Sequence, residues 1–406
     1  MKIRGSDGSR LRRINLVATL RALRGEPPIG LTGLAARAGL SRPTVEGLVE
    51  DLLGQGWLSE MPRESGQMGR PRRLFRFRAE AGHVLGIDVG SSSVRATVCD
   101  LDGEPAGRFT VRADASSGRA ERLAAMRAAA TGALSAAGIS AGAVMAVCVG
   151  TTGVVTATGT VRLSVSLPEW TGLDLAAEVG RDFDAPVLVE NDCNLAALAE
   201  RWAGVAQQVD DVVFVLSGMR TGCGMLIRGE LHRGRRGAAG EIGALPLVGW
   251  HRAPSHLAAF PGLPPGTPPE ETGGLVFAAA RSGDPAARWA VEQFAHDLAE
   301  GIAALVLTVD PDLVVLGGGV SRSADVLMEP LRRHLDPLCL EPPALAISGL
   351  GDQAVVLGAV RHALDHVDAR LYDVDAPLPA PRSAPGPASG PASVPASRPA
   401  PRPAGA

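Results

Sequence analysis

Apolar residues fall into three regimes along the chain. In the first, over residues 10–80, they recur at helical spacing. Leu16, Leu20 and Leu23 lie at i, i+4 and i+7 with Val17 beside them, which predicts a helix over Arg10–Arg24. Gly25 and Pro27-Pro28 end it. Leu34, Ala35 and Ala38 predict a short second helix over Leu31–Ala38, closed by a turn at Gly39. Ser41 suits an N-cap, and Pro43 falls in the first turn of a third helix that runs to about Gln55. Val45, Leu48, Val49 and Leu52 form its inward stripe. Trp57-Leu58 and Leu74-Phe-Arg-Phe-Arg78 then read as strands, the second alternating apolar and basic positions.

From residue 83 to 370 apolar strand-like runs alternate with helical stretches, which predicts α/β layers. The third regime, Ala376 to Ala406, has 10 Pro among 31 residues mixed with Ala and Ser. Such a segment cannot bury enough apolar surface to order itself, so a disordered extension is expected there.

With 46% hydrophobic and 20% charged residues the chain reads as globular. No apolar run reaches the roughly 18–20 residues of a membrane span, and the early Arg residues precede no apolar core of a signal peptide. Cys99, Cys148, Cys193, Cys223 and Cys339 are scattered without paired spacing, as expected of reduced thiols in a cytoplasmic protein. The net charge of −3 conceals an asymmetry. Residues 1–82 hold 15 Lys and Arg against 8 Asp and Glu; the rest holds 25 against 35. A small basic module on an acidic body suggests that the first part meets a polyanion.

Ser41, Arg42, Thr44 and Glu46 face outward at the start of the third helix, where a helix-turn-helix presents side chains to base edges in the major groove. Arg70, Arg72 and Arg73 follow in Gly69-Arg-Pro-Arg-Arg73, an extended basic wing suited to a narrow minor groove. The module therefore reads as a winged helix-turn-helix for an operator in double-stranded DNA. A helical dimerisation module with a solvated basic face is the competing reading.

In the body, Val84-Leu-Gly-Ile-Asp88-Val-Gly90-Ser-Ser-Ser93 is a strand ending in Asp-x-Gly, a pattern that lets backbone amides approach phosphate. Val147–Val155, Leu167-Pro-Glu-Trp170, Val187-Leu-Val-Glu-Asn191-Asp192, Gly237-Ala-Ala-Gly-Glu241-Ile-Gly243 and Leu313-Val-Val-Leu-Gly-Gly-Gly319 follow in turn. In this order they resemble the ROK family of repressors and sugar kinases. The resemblance implies a winged helix-turn-helix followed by a two-lobed actin-like ATPase fold with a cleft between the lobes. It places Ser166, Asn191, Asp192 and Glu241 at sugar-holding positions and Asp192 at that of the catalytic base. It places Asp88, Gly90, Gly222, Gly224 and Gly318 in the nucleotide site. Asn191 and Asp192 could instead simply cap the following helix, but Glu241 supplies an independent second match that favours ligand contact.

Departures from the family pattern point away from catalysis. The first phosphate loop lacks its Lys, and the second reads Gly218-Met-Arg-Thr-Gly-Cys-Gly224, with Arg220 where the family has glycine. Phosphoryl transfer rests on positioning, so such changes should be severe. The family's zinc ligands are missing too: its His position is Ala244, and His251 and His256 alone make a poor site. No cofactor is expected, and Asp192 is read as a vestigial base. The expectation is a repressor with a sugar effector, working as a homodimer or homotetramer. The alternatives are an active sugar kinase fused to a DNA-binding domain and a DNA-binding protein whose body only dimerises.

Overall fold

The structure, a computed structural model, describes residues 8–61, 73–218 and 220–383. The first unit packs helices α1 (Gly8–Leu23), α2 (Leu31–Ala38) and α3 (Arg42–Gly54) around a small antiparallel sheet. In that sheet β3 (Leu74–Phe77) lies between β1 (Ile29–Gly30) and β2 (Leu58–Glu60). All three helices fall within two residues of the ends predicted from periodicity. The inward stripe Val45, Leu48, Val49 and Leu52 is buried, and Trp57 stacks on Phe77 with ring centroids 6.0 Å apart. The Gly-Arg-Pro wing between β2 and β3 lies outside the described residues, and Arg70 and Arg72 with it.

The body has two lobes built on one plan. In lobe I, β4 (His83–Val89), β5 (Ser93–Asp100) and β6 (Pro105–Arg112) form an antiparallel meander. Helix α4 (Arg119–Ala137) covers it, and β7 (Val144–Thr151) joins β4 in parallel. A small hairpin, β8 (Val154–Val155) and β9 (Val161–Leu163), and α5 (Leu175–Gly180) lead to β10 (Val187–Asn191), which pairs parallel with β7. Helix α6 (Asp192–Ala203) follows at once.

Lobe II repeats the scheme. Strands β11 (Val212–Ser217), β12 (Thr221–Ile227) and β13 (Glu230–Leu231) form the meander. Helices α7 (Ala253–Ala258), α8 (Pro269–Arg281) and α9 (Pro285–Val309) pack on it. Then β14 (Leu313–Gly317), α10 (Ala324–Leu335) and β15 (Ala344–Ile347) complete the sheet, with β11, β14 and β15 parallel. Helix α11 (Ala354–Leu371) closes the chain's regular structure.

Helices α6 and α11 lie between the two sheets, and glycines set how close they come. A Cβ on Gly358 of α11 would stand 1.8 Å from the Leu195 carbonyl oxygen of α6. On the other side of α6, a Cβ on Gly224 of β12 would stand 2.2 Å from the Cys193 carbonyl oxygen. The seam between the lobes thus depends on missing side chains, since core packing leaves no room to absorb an extra carbon at such distances.

Arg24 docks the helix-turn-helix onto the body. It pairs with Asp368, bonds the Leu101 carbonyl, lies 3.5 Å from Asp102 and reaches the Tyr372 hydroxyl at 3.2 Å. Arg21 also lies over the Tyr372 ring, 4.8 Å from its centroid.

The Pro-rich extension departs from the composition-based expectation in its first residues, 376–383. Trp57 Nε1 donates to the Pro379 carbonyl at 3.2 Å, and the amides of Arg382 and Ser383 donate to Ala81 O at 2.8 and 3.0 Å. The Arg382 guanidinium bonds Val144 O at 2.6 Å and Asp184 O at 2.9 Å. This strap needs no core of its own. Pro-rich backbone leaves its carbonyls free, and here they find donors on a surface already folded. Residues 384–406 lie outside the described set.

Candidate functional site

At the start of α3, Ser41 accepts from Thr44 N at 3.4 Å, and the two hydroxyls lie 2.8 Å apart. Ser41, Arg42, Thr44 and Glu46 are exposed on the face opposite Val45, Leu48 and Val49. Arg73 is engaged within the module. It pairs with Glu50 at 2.7 Å and Glu60 at 2.8 Å, and its guanidinium lies 5.1 Å over the Phe75 ring. Hydrogen bonds to Glu60 and Glu50 hold its pKa above the ordinary Arg value. Arg73 therefore ties the wing strand to α3.

Between the lobes lies a cavity of about 550 Å3. Ser166, Asn191 and Asp192 line it from lobe I; Arg220, Gly222, Glu241, Ala244 and His251 line it from lobe II. Four sugar positions implied by the resemblance, Ser166, Asn191, Asp192 and Glu241, are thus gathered in one place. The Leu167–Trp170 turn that follows Ser166 is anchored by buried Trp170, whose Nε1 donates to Thr151 Oγ1 at 2.9 Å.

Asn191 caps α6 and also lines the cavity. Its Oδ1 caps α6, accepting from Cys193 N at 2.8 Å and Asn194 N at 3.1 Å, while Nδ2 donates to Gly153 O at 3.0 Å. An amide has two N–H donors, so one remains for the cavity. Glu190, which sequence reasoning passed over, fixes this corner from behind. It accepts from Asn191 N at 2.8 Å and Asn194 Nδ2 at 2.9 Å, and pairs with Arg233. Its signal was a lone carboxylate inside an apolar strand. Burial pushes the Asp192 carboxyl up to about 6 and also raises Glu241. Both can accept hydrogen bonds from hydroxyls when ionised.

The nucleotide positions implied by the resemblance lie on or just after β4, β12 and β14. Asp88 is buried, its carboxyl pushed up to about 7 by desolvation. Arg95 on the neighbouring strand stands 3.3 Å from it and 3.2 Å from Asp352. The Gly90 carbonyl accepts from buried Arg122 at 2.6 Å, which braces the turn after β4. Gly222 lines the cavity, while Gly224 serves the α6 crossing. Gly318, with φ +80°, brings the end of β14 onto β11, where a Cβ would stand 2.4 Å from Ser217 O. Beside it a second cavity of about 370 Å3 is walled by Gly218, Leu257, Phe277, Phe294 and Gly319.

The two histidines do not meet. His251 faces the inter-lobe cavity, and His256 Nε2 lies 3.0 Å from Asp297. Among the described residues His296, Asp297 and Glu300 could gather round an ion, but Asp297 is already held by Arg252 and His256. All five cysteines are free thiols, four of them buried.

The chain is similar to known proteins along both of its parts. The chain is 23% identical to the xylose repressor of Caldicellulosiruptor bescii, over 86% of this chain and 95% of that one. A ROK family glucokinase from Streptomyces griseus, solved in complex with glucose and AMPPNP, matches at TM-score 0.59 and 28% identity, over 70% of this chain and 100% of that one. A ROK family transcriptional regulator, a homolog of the E. coli MLC protein, shares the fold at TM-score 0.68 and 20% identity, over 90% of this chain and 100% of that one. The ROK family profile matches residues 84–262 and 266–366, and the IclR helix-turn-helix domain profile matches residues 15–62. A profile running through both lobes, on a body whose cleft gathers the expected residues, makes this chain a member of the ROK family with a helix-turn-helix domain at its amino end.

Proposed function

We propose that the chain is a sugar-responsive DNA-binding transcriptional repressor whose kinase-like cleft serves as the effector site. The observation that carries this reading is the pairing of an exposed α3 face with a cleft that gathers Asn191, Asp192 and Glu241. The xylose repressor relative spans both parts, whereas the glucokinase structure covers 70% of this chain.

The cleft is not built to transfer phosphate. Arg95 places a fixed cation beside Asp88, where a metal ion would have to compete with it. Arg220 lies in the turn that should hold phosphate through glycine amides. Catalysis of this type rests on positioning, and both side chains disturb it. A sugar would act by changing the closure of the lobes and so the spacing of two helix-turn-helix modules in a cytoplasmic homodimer or homotetramer on a two-fold site. No helix among the described residues is long and apolar enough to cross a membrane.

A gel shift on the chain's own upstream region tests the reading. Retention at moderate salt, weakened by a sugar, is the expected result. Indifference to every duplex would overturn it. Coupled ADP release with hexoses, abolished by Asp192→Asn, would establish the kinase alternative instead.

A further inference from the structure

The cavity is lined with an uneven distribution of charge. Asp192 and Glu241 supply carboxyls, suited to sugar hydroxyls. Arg220 supplies a guanidinium, and it belongs to the turn between β11 and β12 of lobe II. Its Nη2 reaches across to the Val165 carbonyl of lobe I at 3.2 Å. Among the described residues it has no carboxylate within ion-pair distance, although two carboxyls share its cavity. A guanidinium has five N–H donors in a planar fork, and one carbonyl uses only part of that capacity.

Both Arg220 and Val165 are exposed, so this contact stands at the mouth of the cavity. Asp192 begins α6 deeper in, with its carboxyl desolvated. A neutral sugar seated on Asn191, Asp192 and Glu241 would leave Arg220 as it is. A sugar carrying a negative group toward the mouth would offer the fork a charge-assisted, two-pronged partner. Water at the mouth would also screen that group from Asp192.

We propose that the effector is an anionic sugar derivative whose hydroxyls are held by Asn191, Asp192 and Glu241 and whose phosphate or carboxylate is held by Arg220. This rests on the effector-site reading above and names the ligand class. It also supplies a signal: the anion takes the guanidinium that otherwise links the two rims through Val165. The residue that spoils the loop for phosphoryl transfer becomes the one that recognises the charged ligand.

The test is calorimetric titration of the full chain with matched probes: xylose and glucose, xylose 5-phosphate and glucose 6-phosphate, glucuronate, and inorganic phosphate alone. The expected result is that at least one anionic sugar binds roughly tenfold or more tighter than its neutral parent. Comparing glucose 6-phosphate with glucuronate tells phosphate from carboxylate. Arg220→Gln should abolish the preference, and Arg220→Lys should keep part of it. Glu241→Gln, on an exposed turn, should weaken neutral and anionic sugars alike. Equal affinity for neutral and anionic forms, or a preference unchanged in Arg220→Gln, overturns the proposal and leaves the sugar cleft standing. Binding of inorganic phosphate as tightly as any sugar phosphate also overturns it. No response to any sugar overturns both.

Discussion

Arg95 stands between two carboxyls, 3.3 Å from Asp88 on the adjacent strand and 3.2 Å from Asp352 just before α11. It links the floor of lobe I to the helix that runs along the seam. Asp88 nevertheless keeps a raised pKa of about 7, because burial outweighs the neighbouring guanidinium.

This gives a pH dependence with a definite sign. The unfolded Asp titrates at about 3.9, so between there and about 7 the folded chain holds a proton that the unfolded chain has released. The stabilising contribution is full below the unfolded value and is lost as pH rises through the folded one. Asp88→Asn should therefore show a smaller loss of melting temperature than wild type between about pH 5 and about pH 8. Parallel curves for the two proteins would remove Asp88 as the source.

Sugar binding should follow Asp192, whose carboxyl is pushed up to about 6. Ionisation makes it a better acceptor for hydroxyls, so affinity should rise as pH passes through that value. Titration of a binding sugar across the range, with Asp192→Asn as control, checks this. The step should vanish in the variant.

The exposed turn of α3 predicts changes in base preference. Arg42→Ala and Thr44→Ala should each cost about 1–3 kcal/mol on the preferred sequence and little on others. Thr44 carries a second effect, since its hydroxyl shares a hydrogen bond with the Ser41 cap. Arg70→Ala, in the wing, should weaken binding most on A/T-flanked sites. Competition gel shifts with altered operators read all three.

Gly358→Ala tests the seam. Its Cβ would meet the Leu195 carbonyl oxygen at 1.8 Å, and backbone cannot yield as a side-chain tip can. A loss of about 3 kcal/mol or more is expected in thermal or urea unfolding. A neutral result would mean that α6 and α11 sit farther apart.

The strap predicts a local effect. Arg382→Ala removes the guanidinium bonds to Val144 O and Asp184 O. Exposure keeps the cost to about 1 kcal/mol. Hydrogen exchange should quicken around Trp57 and Ala81, which the strap covers, and stay unchanged in lobe II.

The α1–α3 module was legible because helical periodicity is local, and the cavity-lining residues because their motifs are contiguous. The packing of Gly224 and Gly318 was not legible. What a glycine admits is decided by a backbone segment from elsewhere in the chain, the Cys193 carbonyl in one case and that of Ser217 in the other. Arg95 could have been found. The tight turn at Gly90–Ser92 fixes the hairpin register, and counting across it sets Asp88 opposite Arg95. Residues 376–383 were misjudged because composition measures what a segment can bury by itself. It does not register carbonyls and an arginine that match a preformed surface.

Helix α11 has one end beside Arg95, through Asp352, and the other under Arg24 and Arg21, through Asp368 and Tyr372. Its 18 residues span about 27 Å at 1.5 Å each. A tilt of about 5° at the Asp352 end would swing Tyr372 by about 2 Å at that length. The helix is thus a lever arm whose short stroke falls beside Arg95 and Asp88 and whose long stroke falls on α1 of the helix-turn-helix unit.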